Sequence, residues 1–312
     1  MCFDPGVKAF YILLSLGIFG SAQAQFSCEE TDTVILLRRG DKTILQYNKV
    51  PTAEAAKNEP FYTRSGYIHP IYSPSGKEVT GDYSPDHKHQ HGLFFAWTKT
   101  GFEGRKPEFW NQKLEAGTVS FQETLTVVNE GTTAGFDVEH LWEDLTAEDG
   151  PKPALIETWK VRAEESEEDC YVFTVESSLE CAGDSPLTVE KYHYGGMAIR
   201  GSSQWLPVEK GAEPKGKMLT SGGLGREEGN HSRPEWVAMW GPVDDGAAGV
   251  VVTPHPDNFR APQWVRLHPS MPYFVFAPMV EESFRILPGT PYVSRYRYVV
   301  FDGEFEERVM GE

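Results

Sequence analysis

Apolar and polar residues alternate with a period of two along almost every structured stretch of this chain. Val119, Phe121 and Val127 stand among polar neighbours between Thr118 and Val128. Phe136, Val138 and Trp142 share a face, as do Leu155, Trp159 and Val161, and then Tyr171, Phe173, Val175 and Leu179. Near the end, Tyr292, Tyr296 and Tyr298 alternate with Arg295 and Arg297. Successive side chains of a strand point to opposite faces, so each run predicts a half-buried strand, and the β-branched and aromatic enrichment agrees. Only Thr52 to Asn58 reads as helical, and it is short. Asn129-Glu130-Gly131, Glu148-Asp149-Gly150-Pro151, Asp244-Asp245-Gly246 and Pro288-Gly289 mark turns between the runs. The pattern predicts an all-β fold, a large antiparallel β-sandwich of many strands. No low-complexity linker divides it, so residues 25–312 are expected to form a single domain. One irregular segment, Glu209 to Pro234, is rich in glycine and charge, the kind of long loop that is usually functional or disordered.

Residues 1–24 read as a signal peptide. Lys8 precedes the apolar stretch Ala9 to Phe19, and Ser21-Ala22-Gln23-Ala24 supplies a small-residue cleavage site after Ala24. That stretch is too short to span a bilayer, and nothing later reaches the roughly 18–20 apolar residues a span needs. The expected location is periplasmic or extracellular. The formal net charge is −17, and removing the leader leaves it unchanged, since one Lys and one Asp depart together. A surface that acidic repels phosphate backbones and anionic lipid, which argues against nucleic-acid and membrane-surface roles. After the leader, Cys28, Cys170 and Cys181 remain. If Tyr171 to Glu180 is one strand, Cys170 and Cys181 lie about 30 Å apart at its ends and cannot be bridged. Cys28 could pair with either. With so few cysteines, stability must come from a large core, which about 288 residues can supply.

The chemistry concentrates in Asp86-His87-Lys88-His89-Gln90-His91-Gly92, just before the apolar run Leu93 to Trp97. In an extended strand His87, His89 and His91 share a face, where imidazoles can hold a divalent metal ion or shuttle a proton. His69 is close enough in sequence to join them. A second segment, Glu190-Lys191-Tyr192-His193-Tyr194-Gly195-Gly196, places His193 and Lys191 on one strand face and both tyrosines on the other, with Arg200 beyond. A third, Thr253-Pro254-His255-Pro256-Asp257-Asn258-Phe259-Arg260, is a proline-pinned loop at a strand end carrying His255, Asn258 and Arg260. Trp97, Trp110 and Asn111 are candidate sugar platforms, since indole faces stack on C–H surfaces and amides bond hydroxyls. His140 falls on an apolar face and reads as a core histidine. His231 and His268 have only loop context, and no nucleophile-elbow, P-loop or CxxC signature is present.

Several of these segments resemble the bacterial PmoA-like family: Tyr67-Ile68-His69-Pro70-Ile71-Tyr72-Ser73-Pro74-Ser75-Gly76, Asp86 to Leu93, Tyr192-His193-Tyr194-Gly195-Gly196, His255-Pro256-Asp257-Asn258 and Tyr296-Arg297-Tyr298-Val299-Val300. The resemblance spans essentially all of the chain after the leader and implies an exported protein of bacteria that often degrade polysaccharides. It carries no established reaction. The family's label evokes a methane oxygenase subunit, which needs several spanning helices that this sequence lacks. In architecture the chain is also similar to galactose-mutarotase-like supersandwiches, whose fold hosts sugar epimerases, lyases and carbohydrate-binding lobes. The usual mutarotase pattern of two separated histidines with a late glutamate is not matched. The expected function is thus an exported carbohydrate-active lyase, hydrolase or epimerase. Its chemistry would sit at His87, His89 and His91, joined by His193 and His255, with one divalent metal ion as an admissible cofactor on the triplet. Trp97, Trp110, Asn111, Arg200, Asn258 and Arg260 would hold the carbohydrate. The alternatives are a non-catalytic carbohydrate-binding protein and a purely structural or partner-binding role.

Overall fold

A computed structural model describes Met1 and residues 25–307, apart from 131, 168 and 210. The leader and most of its cleavage site lie outside the described residues. Two eight-stranded antiparallel sheets dominate. The first runs, neighbour to neighbour, Phe26–Glu30, Val34–Arg39, Lys42–Asn48, Tyr67–Ile71, Leu93–Ala96, Gly196–Arg200, Tyr273–Phe276 and Val265–Leu267. The second runs Lys217–Thr220, Val237–Val243, Gly246–Pro254, Tyr292–Asp302, Cys170–Cys181, Lys152–Glu164, Thr133–Asp144 and Gly117–Glu130. The only α-helix among the described residues is Ala53–Asn58, and no helix there is long and apolar enough to cross a membrane.

The alternation explains the packing. Phe136, Val138, Trp142, Leu155, Trp159, Val161, Phe173, Val175 and Leu179 are fully buried, while their polar neighbours face out. Val119 is buried, but Phe121 and Val127 are only half-buried toward the far edge of the sheet. Tyr296 and Tyr298 are buried, and Arg295 and Arg297 stand outward to pair with Glu176 and Glu164. A polar knot crosses between the sheets. Tyr47 of the first sheet meets His140 Nε2 at 2.7 Å, and His140 Nδ1 lies 3.0 Å from Glu157, both in the second sheet. Trp142, Trp159 and Ser177 donate to the same carboxylate. His140 is therefore a satisfied core histidine, as its position on the apolar face predicted. Burial alone would raise Glu157, but His140 and these donors outweigh it and hold the carboxyl below its usual value.

Cys170 and Cys181 cap opposite ends of one strand, and all three described cysteines are free. The segment Glu209 to Pro234 is not without structure. It contributes the edge strand Lys217–Thr220, and Arg226 within it donates to the carbonyls of Gly216, His268 and Met271.

Candidate functional site

The histidine run forms the strand His87–His91, paired in a hairpin with Asp82–Ser84 on the flank of the first sheet. Gly92 then turns the chain into the core strand Leu93–Ala96 with a left-handed φ of 45°. A Cβ there would stand 2.2 Å from the Ile68 carbonyl oxygen, so only glycine fits the corner. Burial rises along the strand toward that corner. His87 and His89 remain accessible and line a cleft of about 170 Å³. His91 does not. It is buried between the Asp82 carboxylate at 2.7 Å and the Gln112 carbonyl oxygen at 2.9 Å. The expected triplet on one face is therefore corrected to a pair, because the strand dives into the protein before its third histidine. His69 joins the buried side of this arrangement, 3.0 Å from the Thr80 hydroxyl, and not the cleft.

The remaining walls come from four other segments. His193 and Tyr194 enter from the chain that precedes the strand Gly196–Arg200. Residues 190–195 are not a strand, so the expected split of His193 and Tyr194 onto opposite faces fails and both line the cleft. The reason is the glycine pair. Gly195 and Gly196 have φ of 133° and 125°, and a Cβ on Gly196 would meet the Phe276 carbonyl oxygen at 2.3 Å. Trp110 and Asn111 form a second wall. Trp110 packs on Phe94, Tyr194 and Tyr273, and Asn111 is fixed by a 2.6 Å hydrogen bond to Glu108. Arg266 and His268 come from the edge of the first sheet, Met271 and Tyr273 from the turn and strand that follow. Gln90 completes the lining.

Three of the histidine rings form a chain. The His87 centroid is 5.4 Å from that of His89 and 6.0 Å from that of His268. Their surroundings differ. His87 Nδ1 stands 3.5 Å from Asp86 Oδ2, and the other oxygen of Asp86 accepts from Arg200 at 2.7 Å. Burial would raise Asp86, but His87 and Arg200 outweigh it and hold the carboxyl at about 2. His87 Nδ1 makes no hydrogen bond among the described residues, but the carboxylate 3.5 Å away favours a proton on that nitrogen and leaves the Nε2 lone pair as a proton acceptor. His268 is arranged the other way. The backbone N–H groups of Ser270 and Met271 both donate to its Nδ1 at 3.2 Å, so the neutral ring carries its proton on Nε2. Burial, with Arg266, His87, Arg226 and Arg200 nearby, pushes His268 down to about 3. Burial also pushes His89 to about 3, helped by His87, His91 and Arg200. His193 is lowered too, by burial, Arg266, His231 and Lys99. Lowered basicity thus keeps His89, His193 and His268 neutral near pH 7, with His268 disposed to donate a hydrogen bond and His87 Nε2 placed to accept a proton. Tyr273 adds a buried hydroxyl with no hydrogen-bond partner.

Other expected site residues are elsewhere. His255 lines a separate groove with Lys160, Glu176 and Arg295 on the second sheet, because its loop ends a strand of that sheet. Asn258 is buried and bonds the backbone of Arg295. Arg260 is spent on the carbonyls of Pro278, Glu282 and Ser283 and the Glu282 carboxylate. Trp97 is wholly buried against Phe95, Phe284 and Tyr292, and Trp110 is as buried against Phe94, Tyr194 and Tyr273, so neither offers an open platform. Arg200 is also wholly buried. It bonds Asp86 and the Gln90 carbonyl oxygen, and so holds the histidine strand in place without reaching a ligand. Among the described residues no group of three His, Cys, Asp or Glu side chains is arranged to hold a metal ion, so His87, His89 and His91 are not a ligand set.

No curated protein matches the chain. Among solved structures it is similar to a mutant of the heparan sulfate lyase HepC from Pedobacter heparinus, at 10% identity and a TM-score of 0.36. That match covers 92% of this chain and 36% of the other, so this chain spans little more than a third of the lyase's length. The model of a family of unknown function, DUF6807, matches residues 35–312, and the chain belongs to that family.

Proposed function

We propose that this protein is an exported carbohydrate-active enzyme, of lyase, hydrolase or epimerase type, working by proton transfer in the cleft between His87 and His268. The observation that carries the reading is the opposed arrangement of these two rings beside an aromatic and amide wall. Each of the three reactions needs a base to take a proton from carbon or water and a donor to support the oxygen that gains charge. His87, beside Asp86, accepts the proton. His268 Nε2–H and the Tyr273 hydroxyl donate to the substrate. Tyr194 and Asn111 bind the ring, stacking on its C–H face and bonding its hydroxyls, with the buried Trp110 packed against Tyr194. The leader at residues 1–24 would deliver the enzyme to the periplasm or beyond, where such substrates are met.

A panel of polysaccharides and oligosaccharides tests this when assayed for three products: new reducing ends, unsaturated sugars absorbing in the ultraviolet, and inverted stereocentres. Turnover of any one substrate supports the reading. A protein that binds glycans but yields none of the three products is instead a binding protein, for which the same Tyr194 and Asn111 wall would suffice.

A further inference from the structure

The lining of the histidine cleft contains no aspartate or glutamate among the described residues, although the chain carries 46 acidic residues and a net charge of −17. The two larger grooves differ. One, of about 440 Å³, holds Glu164 and Glu176 among its cations; the other, of about 970 Å³, holds Glu103, Glu108 and Glu190. Within the cleft, Arg266 has no carboxylate at ion-pair distance among the described residues, a condition it shares with the exposed Arg285 and with Arg39, Arg64, Arg226 and Arg233, but those last four donate to backbone carbonyls. An arginine left unpaired in an acidic protein, half-buried in a cleft free of acids, is a waiting anion site. The orphan hydroxyl of Tyr273 points to the same conclusion, since a buried donor without a partner costs free energy that a ligand oxygen would recover.

We infer that the cleft takes a sugar unit bearing a fixed negative charge, a uronate carboxylate or a sulfate ester, with Arg266 as its counter-ion. This rests on the carbohydrate reading above and adds the charge of the substrate. The guanidinium fork suits either oxyanion, and Tyr273 donates to a ligand oxygen beside it. The depressed basicity of His193 and His268, to which Arg266 contributes after burial, fits a positive local field. In the absence of counter-charges from the protein, the ligand supplies them.

The test is titration of the purified protein with sugars of gluco, galacto and manno configuration, each offered as neutral hexose, uronate and 6-sulfate, read by NMR on the histidine ring protons. At least one charged form should bind ten times or more tighter than its neutral partner, and the comparison of uronate with sulfate identifies the group. Arg266→Gln should abolish that preference, and Arg266→Lys should retain part of it. Neutral hexoses binding as tightly as charged ones would overturn the inference while leaving the carbohydrate reading intact. So would an Arg266→Gln variant that weakens all three forms equally. If none of the nine sugars perturbs the cleft, both fall together.

Discussion

His87 and His268 are chemically alike and are made different by what touches Nδ1. At His87 that neighbour is a carboxylate 3.5 Å away, and at His268 it is a pair of backbone donors at 3.2 Å. The first environment disposes the opposite nitrogen to accept a proton and the second disposes it to donate. Replacing His87 by alanine should lower turnover by roughly 10²–10⁴, the usual span for a lost general base. His268→Ala should also lower turnover, whereas His255→Ala, in its separate groove, should not; steady-state kinetics on the three variants checks this. Arg200 acts through other residues. Arg200→Met would leave Asp86 and Gln90 without their partner in a mostly dry setting, a loss on the order of 3 kcal/mol measurable by urea unfolding. A variant as stable as the parent would show that Arg200 does not hold the histidine strand.

At the scale of elements, the site depends on how one short strand leaves the surface. The strand His87–His91 carries its first histidines into the cleft and its last into the core, and Gly92 sets the corner. Gly92→Ala should destabilise the fold by roughly 1–3 kcal/mol from left-handed backbone strain, with more from the clash at Ile68, and a thermal melt would register it. The period-two reading gave the strands correctly and placed His87 and His89 together. It failed at His91 because alternation says nothing about how deep a strand runs. It failed at His193 and Tyr194 because the two glycines keep that segment irregular. Arg266 and His268 carry a signal in the sequence: they alternate with the buried Val265 and Leu267, Arg266 on the short edge strand Val265–Leu267 and His268 directly after it. His255, Arg260 and Asn258 share the loop chemistry of a site, but their strand belongs to the other sheet. That distance is tertiary and leaves no mark in local sequence.

At the scale of the whole molecule, two sheets close over an aromatic core fastened by Tyr47, His140 and Glu157. Glu157→Ala would leave the buried His140 Nδ1, two indole N–H groups and the Ser177 hydroxyl without their acceptor and should cost about 3–5 kcal/mol. Acid acts on the molecule through the cleft as well. His89 and His268 sit at about 3 in the folded protein, below the ordinary histidine value near 6.5 of the unfolded chain. Between those limits the unfolded state binds more protons, so this part of the stability is present above pH 6.5 and is lost as the pH falls toward 3. The His89→Gln, His268→Gln double variant should melt with a shallower pH dependence across that window; an unchanged slope would show that neither ring is held neutral. The central claim is that the cleft transfers protons to or from a bound sugar. The most direct measurement is the effect of His87→Ala and Tyr194→Ala on kcat and on substrate affinity, for whichever glycan the parent turns over. The account predicts that His87→Ala collapses kcat with affinity nearly kept, while Tyr194→Ala chiefly weakens binding. A His87→Ala protein with the parent's kcat would contradict it.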